Sequence, residues 1–175
     1  MRYFRLCQGA HVRNVMDIQW AVPCPYKSNP TEEEFKDYPD VLVGYYKYSD
    51  MITMPDVLEK SFFFVSDEVK HVLHMYDESI PFKAIHVYPF GMVEDMVPLY
   101  WTFYPPKAEC LHSSVRIFPN GEPEELILDK RKIPEKDVFG ISDICVNRII
   151  VSLPVAESLL RRNMFGISLK EVLVK

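Results

Sequence analysis

Six glycines stand at positions 9, 44, 91, 121, 140 and 166, and no two are closer than 19 residues. Loops that cradle phosphate need glycines a few residues apart, for tight turning and for close approach of backbone to anion. Neither a Walker-type loop nor a dinucleotide fingerprint can be written with this spacing. ATP, GTP and NAD bound in those modes are excluded, and no cofactor is expected.

The 175 residues are 48% hydrophobic and 26% charged, the balance of a folded globular chain. One domain is expected, and a chain of this size buries about 70% of its unfolded surface without needing a metal or disulfide staple. Twenty Lys and Arg against 25 Asp and Glu give −5, and no basic stripe with interleaved aromatics occurs. Nucleic acid is therefore not an expected partner. Mild acidity suits a basic partner, although solubility alone also favours it.

Cys7, Cys24, Cys110 and Cys145 are spaced 17, 86 and 35 apart, with no pairing at zinc-finger distance. That pattern fits free thiols in a reducing cytosol. The opening MRYFRLCQGAHVRNV carries arginines where a secretory signal needs a run of about seven or more apolar residues. The longest apolar runs, such as Phe62 to Val65, are too short to span a bilayer. A cytoplasmic protein without membrane contact is expected.

Residues 1–6 alternate bulky and basic side chains and predict an edge strand. Pro23, Pro25, Pro30 and Pro39 frame a surface loop in which Thr31 caps one helical turn and Glu34 closes a capping box. Strands are predicted over 41–48, 62–65 and 82–87, with a helical or turn element starting at Pro55. Val69, Val72, Leu73 and Tyr76 fall within about 60° of one another on a helical wheel, so 67–77 is an amphipathic helix capped by Ser66. Arg148 to Val151 is a second strand, Ser152 a second cap, and Val155, Ala156, Leu159 and Leu160 the apolar arc of a second helix. Gly166 then turns the chain into a strand over 167–172.

A strand-Val-Ser-helix-strand unit thus occurs twice, either as an old duplication or as recurrence of a common cap. Between the units, Leu99 to Tyr104 is an aromatic strand. Alternation sends Trp101 and Phe103 to one face and Tyr100 and Tyr104 to the other, one of them core. Val115 to Phe118 and Leu126 to Leu128 flank Asn120-Gly121 as a hairpin. Together these elements predict a single α+β domain with a mixed or antiparallel sheet and a few packed helices.

Three clusters carry candidate chemistry. Asp67, His71, His74 and Glu78 share one helix side and include metal-ligand types. They face away from the apolar stripe, lack inward-facing partners from a second element, and read as a solvated face; no metal is expected. Cys110 and His112, with Ser113 and Ser114 following, place a nucleophile and a base close in sequence, but neither an orienting third group nor an oxyanion donor is evident. Glu32, Glu33 and Glu34 read as the acidic first turn of a helix and, with the Asp67 cluster, as the candidate contacts for a protein partner.

In their order, Pro55-Asp56, Val65-Ser66 opening a helix, Tyr100-Trp101, Cys110-Leu111 with Ser114, Leu128, Val138-Phe139, Ile150-Val151-Ser152 and Phe165-Gly166-Ile167 resemble immunity protein family eleven of bacterial polymorphic-toxin systems. The likeness spans roughly residues 55–172. His112 stands where that family carries an acidic residue, and Phe165-Gly166 replaces a Thr-Gly. The resemblance implies a cytosolic, non-catalytic antidote that binds and neutralises a cognate toxin, and it implies no catalytic residue. The rival is a small cytosolic hydrolase using Cys110 or a nearby serine with His112 or His86. A self-associating scaffold is a third reading.

Overall fold

The computed structural model describes residues 1–21, 27–60, 62–91 and 97–175; Pro23, Cys24 and Pro25 lie outside the described residues. The chain begins with β1 (Tyr3–Gln8), β2 (Gln19–Trp20), α1 (Glu32–Lys36), β3 (Val41–Tyr46), β4 (Val57–Glu59) and β5 (Phe63–Ser66). It continues through α2 (Asp67–Tyr76), β6 (Phe82–Pro89), β7 (Leu99–Phe103), β8 (Lys107–Ala108) and β9 (Ile127–Leu128). The last elements are β10 (Val138–Ile141), β11 (Ile149–Ser152), α3 (Leu153–Leu160) and β12 (Ile167–Val174). This is an α+β fold of two mixed six-stranded sheets, ordered β8-β10-β11-β1-β12-β9 and β2-β3-β6-β7-β5-β4. Among the described residues no helix is long and apolar enough to cross a membrane.

The two sheets repeat one pattern. In one, β5 runs directly into α2 and returns as β6, with antiparallel β7 inserted between the two strands. In the other, β11 runs into α3 and returns as β12, and the inserted strand is β1 from the N-terminus. Val-Ser-x-x-Val-x-x-x-Leu occurs at 65–73 and again at 151–159. Asp56-Val57 matches Asp137-Val138: Val57 pairs with Val65 and Val138 with Val151. The Ser66 and Ser152 amides donate to the Asp56 and Asp137 carbonyls at 2.9 and 2.8 Å. Tyr100 lies opposite Ser66 just as Tyr3 lies opposite Ser152. The repeat seen in sequence is thus one of strand order and register. Its second copy closes only when the N-terminal strand inserts, which is why β1 lies inside its sheet and not at the expected edge.

Both sheets are apolar on two faces. One cluster, containing Leu6, Phe63, Val65, Phe103, Val138, Ile149 and Val151, lies between the sheets and takes in α2 and α3. A second, with Phe35, Leu42, Ile85 and Tyr100, covers the far face of the β3-β6-β7 sheet. A third, with Tyr3, Cys110, Phe139 and Ile150, covers the far face of the other sheet. Strands buried on both sides need continuous apolar runs, not alternation. Ile149-Ile150-Val151 and Phe63-Phe64-Val65 are such runs.

α2 forms as expected, with the Ser66 hydroxyl accepting the Val69 N–H at 3.4 Å, and the Thr31 and Glu34 capping box closes α1. Other expectations are corrected. Pro55 leads into strand β4, not a helical turn, because Val57 and Leu58 pair with β5. Ser152 occupies the N-cap position without capping; its hydroxyl bonds the Asp137 carboxylate. Leu160 is 66% exposed, since α3 turns only Val155, Ala156 and Leu159 inward. The turn at Gly121 exists, with φ of +80°, but its arms share only an Ile117–Pro123 bridge, because β9 pairs instead with β12. Both faces of β7 are covered: Tyr100 is buried in the second cluster, and Trp101 is only half-buried against the first.

Polar ties hold the parts together. Glu59 on β4 accepts from Arg5 on β1 at 2.5 Å and from Arg148 at 2.9 Å, and Arg148 also reaches Glu122 at 2.8 Å. Lys107 on β8 crosses Gly140, where an added Cβ would meet its stem at 3.2 Å. Its amine donates to Asn29 Oδ1 at 2.6 Å and to the Pro30 carbonyl, fastening the segment before α1 to the other sheet.

Burial pushes the Lys107 amine down to about 8, against an upward pull from Glu34. Between that value and the ordinary lysine value the unfolded chain holds a proton that the folded chain lacks, so stability rises with pH through this window. Cys110 and Tyr100, both pushed up by burial, work in the opposite direction above their ordinary values near 9 and 10. The Lys107 contribution is least opposed between pH 8 and 9, where Cys110 has only begun to work against it. Raising pH across this interval should stabilise the protein by about 0.5 kcal/mol after allowance for solvent screening, and Lys107→Met should flatten the slope in urea titrations.

Candidate interaction surface

The acidic groups expected as partner contacts do not form one surface. α1 packs Phe35 into the cluster on one face of the β3-β6-β7 sheet, whereas α2 packs Val69 and Val72 into the cluster on the other. Within α1, Glu32 pairs with Lys36 at 2.6 Å. Glu34 bonds Lys27 and the Thr31 amide, which together hold its carboxyl below the usual range. Glu33 is exposed, and its carbonyl accepts the Asp37 N–H at 3.1 Å at the other end of the helix.

On α2, Asp67 accepts the Trp101 indole N–H at 2.8 Å, while Lys70 Nζ lies 3.2 Å above that ring. His71 and His74 are exposed, and His74 also meets the Phe82 ring edge at 6.3 Å. Glu78 lies beyond the helix, which ends at Tyr76. Among the described residues no group of three or more His, Cys, Asp and Glu side chains is arranged to hold a metal ion.

The sequence reasoning missed an uncovered stretch of the sheet face on which α2 lies. Register places Val41, Val43 and Tyr45 of β3 opposite Ala84, His86 and Tyr88 of β6, and Ala84 opposite Trp101. α2 covers the Phe82 and Trp101 end. Beyond it Val41 is 52%, Tyr45 36% and Tyr88 38% exposed, and Phe90, just past β6, is 72% exposed. Tyr45 centres this group, 6.2 Å from Tyr88 and 6.3 Å from Phe90. His86 stacks on Tyr88 at 6.5 Å. An exposed, mutually supported set of tyrosine and phenylalanine rings is the composition from which interface hot spots are made. Of the two histidines of α2, His74 meets Phe82 at the other end of β6, away from Tyr88 and Phe90.

The groups proposed for nucleophilic chemistry are dispersed. Cys110 is fully buried, and burial pushes its thiol up to about 11. His112 Nδ1 contacts Ser114 Oγ at 2.8 Å within its own turn, and His86 lies in the other sheet. A nucleophilic thiol needs the thiolate form, which this burial disfavours. In iodoacetamide labelling at pH 8, followed by intact mass, exposed Cys145 should react and Cys110 should react only after unfolding. Rapid native labelling of Cys110 would show that the thiol is accessible and activated.

No protein-family model matches this chain, and no curated protein matches it either.

Proposed function

We propose that the protein is a non-catalytic immunity protein that acts in the bacterial cytoplasm, where it binds a cognate protein toxin and blocks it by occlusion. The observation that carries this reading is the exposed aromatic group of Tyr45, Tyr88 and Phe90. Such a face serves binding without chemistry. The ordered motifs between Pro55 and Ile167 that resemble immunity family eleven supply the toxin as the partner, and the buried thiol of Cys110 favours binding over hydrolysis.

Occlusion requires only a stable complementary contact, so the toxin should be recovered chemically unchanged. Coexpression with its cognate toxin should restore bacterial growth, and an intact complex should be isolable. If the toxin is basic, the net charge of −5 should accelerate association, and added salt should lower the on-rate more than it raises the off-rate. Rescue without detectable binding at micromolar concentration, or toxin recovered with a covalent change, would reject occlusion.

A further inference from the structure

We propose that two copies of this chain pair through the outer edge of β12, independently of any toxin. Even-numbered residues of β12 direct their backbone groups to β1, as the Gly9 N–H bond to the Gly166 carbonyl at 2.8 Å sets the phase. Odd-numbered residues face the other way. At the C-terminal end those groups are occupied: the Lys175 N–H donates to the Leu128 carbonyl at 2.9 Å, and the Lys175 carbonyl accepts the Lys130 N–H at 2.8 Å. β9, however, covers only Leu173 and Val174. The backbone groups of Ile167, Leu169 and Glu171 therefore face outward without a backbone partner among the described residues. In the other sheet the equivalent N–H, at Ala84, is taken by the Asp40 carbonyl at 2.9 Å.

An unpaired edge of this kind is a template for another strand. A second β12, running antiparallel about a two-fold axis at Leu169, matches it. Ile167 then faces Glu171 of the second copy, Leu169 faces its own counterpart, and Glu171 faces Ile167, each pair exchanging two main-chain hydrogen bonds.

Charge disfavours the registers on one side of this one, and centring on Ser168 instead would pair only Ile167 with Leu169 and leave Glu171 outside the free stretch. Centring on Lys170 or on Glu171 would set like charges directly opposite one another, which is destabilising. Centring on Leu169 sets Lys170 against Ser168 of the second copy. The lengths also agree. Gly166, with φ of +72°, turns the chain away at one end of the free stretch, and β9 closes the other. The exposed side chains of Phe165 and Leu173 then come to the same end of the paired strands, one from each copy.

The Ser168–Lys170 contacts, two per dimer by symmetry, give a test by charge. Sedimentation equilibrium of the full chain should show a reversible monomer–dimer equilibrium. Ser168→Lys should raise the dimer dissociation constant about tenfold, from two like-charge cross-strand pairs. Ser168→Glu should lower it, and the combined Ser168→Lys, Lys170→Glu protein should return it toward the starting value. Melting temperature measured in parallel reports the fold, and because the two single substitutions have opposite expected signs, a fold defect in one leaves the other decisive. A protein that stays monomeric at every concentration, or a dimer that responds in the same direction to Lys and Glu at 168, would overturn the proposal and leave this edge to a strand from some other protein.

Discussion

Replacing Glu59 with alanine should cost about 3 to 5 kcal/mol, because it leaves two largely buried arginines without their shared partner. The Glu59 side chain is 19% exposed, and those of Arg5 and Arg148 are 24% and 14% exposed. Arg5 comes from the inserted N-terminal strand, Glu59 from the opposite sheet, and Arg148 from the residue before β11. One carboxylate therefore ties the two sheets together. Removing a single member of a buried ionic group is far more harmful than replacing the group with apolar side chains. The combined Glu59→Leu, Arg5→Met, Arg148→Met protein should accordingly recover much of the loss. Urea unfolding measures both, and an unchanged midpoint for Glu59→Ala would mean that the arginines are solvated well enough without it.

Leu73→Ala and Leu159→Ala should each cost about 3 to 4 kcal/mol, the usual penalty for emptying a fully buried leucine site that cannot collapse. Both residues are 0% exposed, occupy the same position in the repeated Val-Ser-x-x-Val-x-x-x-Leu segment, and enter the cluster between the sheets. If the two sheets are copies of one design, the two losses should be alike. α2 and α3 also touch, through the Tyr76 hydroxyl to the Pro154 carbonyl at 3.0 Å and to Ser158 at 3.1 Å. The double substitution should therefore depart from additivity. A loss confined to one helix would show that one unit carries the fold and the other merely decorates it.

Local signals made α2 readable: a capping serine, acidic residues in the first turn and a 3.6-residue apolar period all agree. The Val-Ser repeat was readable too, but its meaning was not. The third strand of the second unit is β1, more than 140 residues away along the chain from its partner β11, and no local pattern reports such pairing. The hairpin at Gly121 failed for the same reason, since the Asn-Gly turn is local whereas the pairing of Ile127 and Leu128 with β12 is not. The aromatic face was hidden by two-sided burial. Tyr45, Tyr88 and Trp101 look alike in sequence, and only the placement of α2 over Trp101 decides which rings stay uncovered. The acidic first turn of α1 and its Thr31 cap were legible locally, and capping and an ion pair within the helix engage two of the three carboxylates.

The most direct test of partner binding through the aromatic face is the affinity of a Tyr45→Ala, Tyr88→Ala, Phe90→Ala protein for the cognate toxin, measured by calorimetry beside a melting curve. All three side chains are exposed, so the melting temperature should change little. Loss of a central aromatic cluster should weaken binding by about a hundredfold or more, and growth rescue should fail with it. Full affinity and full rescue in this protein would contradict the account and place the toxin on another surface.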